Sequence, residues 1–514
     1  MGPEINIDSI LALEKQIEEG LGDVIQLKRA RNSLLNISTL MPPELLGQVF
    51  RWNVIPDYDF GELKKGSYNF LLVCRHWFEI AYGTPELWTY WGNTLKQWSR
   101  RYQRSGIAPL DLVLYTHYYA DDENAVQLDG PLRDAVRSRA ACGSIRSVYL
   151  RGPGTGLLNS VVSSLILDGE GVRDSSIESL ILEHTFLDVS NFLSHHRFPK
   201  LRVFCLLACL EITPWDRIGL HATSLTTLSL GFPGVPNGPT PSQLLSILTS
   251  YPNLQDLSLH QVMIPDDVGG GSTFRVLLPQ LRKLCLVGDC CTVFQVLDRL
   301  EYPDKLDLMH LDLTQCAGEV VSELLEPYLR AQIRRDDRFQ NRLGIQLSCR
   351  DDSISFGVGV LGKLDTFPMA LGHDYPSVSF SAGFRRSLPR GAIEKACTTL
   401  IAAVPREHVV GFTGEPNIHA VRDLPVTIPN DENLYIVGSE ISNTFLQPDP
   451  LSNTNLLPSL QHLCLDYFTP QNDDDWGPLM AYLTHQTSGG QAISLISPEV
   501  VRVIESLVDE FLLG

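Results

Sequence analysis

The sequence predicts an α/β chain: a short all-helical N-terminal arm and helical unit, then an array of parallel strands inside with helices outside, closed by a C-terminal capping helix. Three observations carry this expectation. A Leu-x-x-Leu-x-Leu spacing returns along most of the chain after Trp98. Helix-like stretches at 242–249, 292–300 and 320–330 separate several of its copies. The segment 38–88 instead holds two short, strongly apolar helices and a closing Pro-x-x-Trp turn.

The repeat reads Ile145, Val148, Leu150; Ile177, Leu180, Leu182; Leu201, Phe204, Leu206; and Leu225, Leu228, Leu230. It continues as Leu254, Leu257, Leu259; Leu281, Leu284, Leu286; Leu308, Leu311, Leu313; and finally Leu460, Leu463, Leu465. From Leu182 to Leu313 the last Leu of successive copies steps by 24, 24, 29, 27 and 27 residues. In a strand, alternate side chains point the same way, so both Leu of Leu-x-Leu enter a core and the residue between them faces out. Stacked in parallel, such strands bury one continuous apolar ladder. Pattern and period together resemble a leucine-rich-repeat solenoid. That resemblance implies that Cys209 and Cys316 close turns as structural residues.

Between 314 and 459 the pattern degenerates. Segments 345–347, 378–380, 409–412 and 434–437 keep a similar spacing and are expected to be irregular strands of the same array. Gly357-Val358-Gly359 and Gly411 to Gly414 imply bulges or tight turns there. The chain ends on a strand-like 492–496 and an amphipathic helix over 498–513. Pro498 and Glu499 suit its first turn, and Val500, Val503, Leu507 and Phe511 share one face, as a capping element requires.

At the other end, Ile10, Leu13, Ile17, Val24, Leu27 and Leu34 fit a heptad that Gly20 and Arg31 break. Gly20 and Gly22 cost a helix about 2 kcal/mol relative to Ala. Residues 1–36 therefore read as a short helical arm rather than a stable coiled-coil dimer.

The helical unit spans 37–98. Met41, Pro42, Pro43, Glu44, Leu45 and Leu46 open it, with Pro43 suited to a first helical turn. Leu46, Val49 and Phe50 make a stripe. Leu71, Val73, Cys74, Arg75 and Trp77 follow, with Ala81, Pro85, Leu87 and Trp88 behind them. Its segment 38–88, about 50 residues long, has more apolar surface than it can bury on itself, which predicts a partner helix. These residues resemble an F-box, whose Leu-Pro-x-Glu-Leu-Leu opening and Leu-x-x-Val-Cys-x-x-Trp core they follow. The span 53–68 is longer than the family's usual link. The resemblance implies docking on the Skp-type adaptor of a cullin-based ubiquitin ligase. Met41, Pro42, Leu45, Leu46, Val49, Phe50, Val73, Cys74, Trp77, Leu87 and Trp88 are the residues from which that surface would be drawn.

Composition narrows the function. A formal net charge of -19 argues against broad binding of nucleic acid or anionic membrane, both of which rest on dense Lys/Arg surfaces. No apolar run approaches bilayer length, and the opening residues, without a basic stretch and apolar core, give no expectation of a secretory leader. Eleven scattered Cys, mostly within apolar runs, are the usage of a reducing compartment, hence the cytoplasm or nucleus.

No catalytic constellation stands out, and neither a cofactor nor a metal is expected. Gly152 to Gly156 lack the Gly-Lys-Ser/Thr ending that holds phosphate. Cys290 and Cys291 are adjacent and expected to point different ways. His195-His196 lack further zinc ligands, and Asp473 to Asp475 read as a helix cap. Arg330, Arg334, Arg338 and Arg342, with Asp336 and Asp337 nearby, read as a solvated, salt-bridged helix.

The outward strand positions offer a mixed, sparsely charged face that suits a protein segment better than a phosphate backbone. Arg151, Glu183, Asp256, His260, Lys283, His310 and Asp312 are its candidate substrate-binding residues. The expectation is a non-catalytic substrate receptor, monomeric within its complex: the F-box binds the adaptor and, through it, a cullin, while the solenoid binds a protein substrate. A leucine-rich scaffold that binds the adaptor without directing degradation, and an enzyme whose site escaped the motifs, remain alternatives.

Overall fold

A computed structural model describes residues 7–18, 41–54, 67–92, 98–115, 130–152, 173–183, 196–207, 222–231, 241–261, 275–316, 325–337, 343–350, 353–360, 377–384, 403–405, 409–414, 433–437, 462–466 and 494–495, with short pieces at 26–28, 30–31, 56–57, 62–63 and 399–400 and single residues 239 and 323. It is a mixed α/β protein whose sheet is mostly parallel. The chain forms two compact units, 1–201 and 202–514.

The first unit opens with α1 (Ile7–Glu18), within the expected arm. Two helices follow, α2 (Pro43–Asn53) and α3 (Arg75–Tyr82), with 3-10 turns at Asn69–Leu72 and Pro85–Trp88. Pro43 occupies the first position of α2, and the Pro42 carbonyl accepts from the Leu45 and Leu46 amides at 3.0 and 3.1 Å. The long link contains a small antiparallel pair, Pro56–Asp57 against Glu62–Leu63.

Leu46, Phe50, Phe70, Ala81, Leu87 and Trp88 form the buried core of this helical unit. Phe50 and Phe70 stack with ring centroids 4.4 Å apart, and Tyr68 stacks on Trp88 at 5.5 Å. The polar ends of these aromatics are satisfied inside, as buried indoles and phenols require. Trp88 Nε1 donates to the Ala81 carbonyl at 3.0 Å, and the Tyr68 hydroxyl donates to the Leu87 carbonyl at 2.9 Å. Gly47 lets α2 approach the turn at Thr84, whose Oγ1 would lie 3.2 Å from an added Cβ.

The sheet starts within the last residues of the 37–98 span: β1 (Tyr90–Trp91), β2 (Leu110–Tyr115), β3 (Ile145–Arg151) and β4 (Ser179–Glu183) pair in parallel in that order. Thus the ladder begins before Ile145, the first residue of the Leu-x-x-Leu-x-Leu pattern. Leu110, Leu112 and Leu114 alternate correctly but lack the spacing of the full repeat. Helices α4 (Trp98–Ser105) and α5 (Gly130–Ala141) lie between these strands in sequence.

In the second unit, β5 (Val203–Leu207), β6 (Thr227–Gly231), β7 (Asp256–His260), β8 (Lys283–Asp289) and β9 (Leu308–Cys316) pair in parallel and in order. Leu206, Leu230, Leu259, Leu286 and Leu311 lie in one register row and are all buried. Each fully buried Leu contributes about 1.5–3 kcal/mol over an exposed one. Three helices follow the expected stretches: α6 (Pro241–Thr249), α7 (Cys290–Arg299) and α8 (Glu326–Arg335). Most of the stretch 320–325 lies outside the described residues.

One repeat sits in a different register. Lys283 pairs with Leu308 and Leu284 with Met309, so the repeat is Leu306, Met309, Leu311 rather than Leu308, Leu311, Leu313. The strand is long and carries three alternating buried residues, Met309, Leu311 and Leu313, so spacing alone allowed either frame. His310 thus stands directly beside Cys285, and Asp312 beside Val287.

The degenerate region also departs from a simple array. After β9 the sheet order is β12 (Ser377–Phe384), β11 (Ser353–Val360), β10 (Leu343–Arg350), then β13 (Val409–Gly414), β14 (Asn433–Val437), β15 (His462–Asp466) and β16 (Ser494–Leu495). Strand β11 runs antiparallel to both neighbours. Gly357-Val358-Gly359 therefore lies within a full strand, not a tight turn. Ile354, Phe356 and Val358 alternate into the core, and that alternation is identical for either strand direction. The other expected stretch, Gly411 to Gly414, does border an irregularity: the pairing of β10 with β13 slips between Leu343, opposite Val409, and Gly344, opposite Gly411. The expected capping helix over 498–513 lies outside the described residues.

Candidate functional site

In α2, Leu46, Gly47 and Phe50 point into the helical unit. Leu45, Val49 and Trp52, spaced i, i+4, i+7, occupy the other face; Leu45 is 50 % and Trp52 76 % exposed, and Val49 is half-buried. The next turn adds Leu72 at 85 % and Val73 at 57 % exposure. In α3, Trp77, Ile80 and Ala81 pack inward, while Phe78 and Tyr82, one turn apart, are exposed with ring centroids 5.8 Å apart. The Arg104 guanidinium covers the Tyr82 and Trp88 rings at 4.4 Å each.

This arrangement sorts the sequence candidates. Pro42, Leu45 and Val73 are exposed, and Met41, Val49, Cys74 and Trp77 are half-buried. Leu46, Phe50, Leu87 and Trp88 are interior, because the stacked aromatic core needs them there, and they offer nothing to a partner in this conformation. Trp52, Leu72, Phe78 and Tyr82 were missed by sequence reasoning. Trp52 lies seven residues from Leu45 and Tyr82 four from Phe78, spacings that put each pair on one helix face without saying which face is core, whereas Leu72, in a 3-10 turn, carried no periodic signal.

In each unit the other candidates occupy strand positions that alternate with that unit's buried residues. In the first unit, Glu183 accepts from the Tyr149 hydroxyl at 3.1 Å and pairs with Arg151 at 3.5 Å. Burial first, then the Glu183 carboxylate, pushes the Tyr149 phenol up to about 12. Beside them the Asp111 carboxylate binds Arg146 and accepts from the Ser147 hydroxyl at 2.8 Å. These charges neutralise one another across neighbouring strands.

The second unit holds the remaining five. Asp256 stands directly across from Lys283. His260 Nε2 lies 2.7 Å from the Ser258 hydroxyl, whose register partner is Cys285. Burial lowers the affinity of His260 for a proton; His310 adds to this and Asp312 opposes it. Burial likewise lowers His310, against Asp312, and raises the Cys285 thiol. The result is a polar, nearly neutral strip framed by a carboxylate. Gly231 makes it possible: a Cβ there would lie 2.8 Å from Leu207 Cδ2 and 3.0 Å from His260 Cβ. Gly231→Ala should therefore cost about 1–3 kcal/mol by overpacking, read as a lower urea midpoint of the full-length chain.

The two imidazoles have a pH consequence. Their folded pKa values lie below the unfolded 6.5, so the unfolded chain binds protons that the folded chain refuses. Stability from these groups is present above 6.5, falls as pH drops through it, and levels off once the folded imidazoles also protonate. Paired urea titrations between pH 7.5 and 5 should show a smaller acid loss for His260→Gln/His310→Gln than for the parent chain. Equal losses would contradict the assignment.

Two further expectations meet the structure here. Cys290 and Cys291 do not diverge: their Sγ atoms lie 3.9 Å apart, although one residue is buried and the other exposed. Of the arginine series, Arg330 pairs with Glu326, its Nε donating to Oε1 at 2.8 Å, while Arg338 and Arg342 lie outside the described residues. His195, Cys209 and Asp473 to Asp475 also lie outside them. Among the described residues no helix is long and apolar enough to cross a membrane. No model of a known protein family matches the chain, and no curated protein matches it significantly.

Proposed function

We propose that the chain is the substrate-recognition subunit of a Skp–cullin–F-box type ubiquitin ligase. The helical unit would dock on the Skp-type adaptor and, through it, a cullin, and the leucine-rich array, a solenoid in this reading, would hold a protein substrate by the open face of its sheet. The observation that carries the reading is the exposed apolar face of the helical unit: Leu45, Trp52, Leu72, Val73 and Phe78 lie outside a core that is already complete without them. Large apolar side chains left in water on short helices mark a protein interface. The motif resemblance at 41–46 and 71–77 says which partner. The protein contributes proximity and orientation, and transfer chemistry belongs to other subunits, in the cytoplasm or nucleus.

The strip of Asp256, His260, Lys283, His310 and Asp312 supports the substrate role, being polar, side-chain-rich and flanked by small residues. Arg151 and Glu183 would extend that role in the first unit. Co-expression of the full-length chain with a Skp-type adaptor and a cullin tests the reading. A ternary complex is the expected result. Capture of the adaptor with exclusion of the cullin would indicate a scaffold instead, and failure to capture the adaptor would sink both.

A further inference from the structure

At the carboxyl end of β8 the chain turns directly into α7 through Asp289, Cys290 and Cys291. Asp289 is the N-cap: its Oδ1 accepts from the Cys291 amide at 3.0 Å and the Thr292 amide at 3.4 Å. That cap fixes the carboxylate over the first turn. It also sets the two neighbouring thiols side by side, with Sγ atoms 3.9 Å apart. One ligand atom from each of the three residues falls within 4.8 Å of the others.

From this geometry we propose that Asp289, Cys290 and Cys291 form a binding site for a zinc-class divalent cation. With Zn–S bonds of about 2.3 Å in tetrahedral geometry, two thiolates on one ion stand about 3.8 Å apart. The observed span already matches, so the dithiol needs almost no rearrangement. The Asp289 carboxylate is the third donor, one of its oxygens lying within 4.8 Å of both sulfurs. On binding, each thiol releases its proton to solvent and the sulfur lone pair forms the metal bond. The amino end of a ten-residue helix favours the negative charge that results.

The ligand types choose the ion. Two soft sulfurs select zinc or cadmium over magnesium and calcium, which take oxygen donors. Three protein donors leave a fourth position open to water or to a group on a bound molecule, as in sites that are not purely structural. Cys291 is exposed, so an ion reaches the site from solvent on that side.

The site is independent of adaptor docking. Its test uses the reduced full-length chain, titrated with cadmium ion alone and followed by sulfur-to-metal charge-transfer absorption and by native mass. One ion per chain should bind. Cys291→Ser, an exposed position that leaves the core untouched, should weaken binding at least a hundred-fold. Asp289→Asn keeps a good cap and should weaken it about ten-fold. Cys142→Ser, at a separate exposed thiol, should change nothing. No bound ion in the parent chain, or equal binding by parent and Cys291→Ser, would overturn the proposal.

Discussion

Leu45→Asp combined with Leu72→Asp should abolish capture of a Skp-type adaptor by the full-length chain while its fold stays intact. Both side chains are half or more exposed, so the folded protein tolerates the carboxylates in water. At an apolar contact the same carboxylates would be buried without partners, at about 3–5 kcal/mol. Each 1.4 kcal/mol is about ten-fold in affinity, so the double variant should bind several hundred-fold more weakly or not at all. Binding is read by co-purification and titration, and the fold by the unfolding midpoint. A folded double variant that binds the adaptor normally would show that this face is not the interface. A variant that unfolds would show that these leucines belong to the core.

Phe50→Ala should do the opposite: destabilise the helical unit without touching any exposed surface. Phe50 is completely buried, stacked on Phe70 and in contact with Trp77, ring centroids 5.1 Å apart. Truncating a buried Phe costs about 3–5 kcal/mol through lost contacts and a residual cavity. A unit of this size has little more stability than that to lose. Hydrogen exchange over residues 41–88 should therefore accelerate by a hundred-fold or more, while the strands of the second unit remain protected. Phe50→Leu, which fills most of the space, should show a much smaller change. Unchanged exchange in Phe50→Ala would remove Phe50 from the core and reopen the sorting of the whole segment. Taken together, the two substitutions separate a loss of binding through the surface from a loss through unfolding.

Both experiments probe a distinction invisible along the chain. Leu45 and Phe50 are five residues apart on one apolar helix, and nothing in their types says which faces a partner. Only the position of Phe70 and the Trp88 indole, brought in from the far side of a long link, decides that Phe50 is interior. His310 teaches the same lesson. Spacing placed Asp312 between two core leucines, yet pairing with β8 moves the repeat by two residues and sets His310 there instead. A strand that alternates through Met309, Leu311 and Leu313 satisfies either frame, and hydrogen bonding to the neighbour selects one.

What the amino-acid order settled by itself is the type and place of the strongly periodic elements, α2, α3, α6 and α7 and the strands from β3 to β9, while β1, β2, α4 and α5 carried no such period. Helices appear where apolar residues recur at three and four, and strands where Leu-x-Leu recurs at two. Those periods follow from backbone geometry, so they can be read without knowing any neighbour. The direction of β11 and the approach of two adjacent thiols in Asp289-Cys290-Cys291 were decided only in three dimensions, as was the division of a greasy helical hairpin into core and exposed face. Each of these depends on which distant segment arrives at a given side. Alternation is blind to strand direction, and local spacing carries no record of what packs across it.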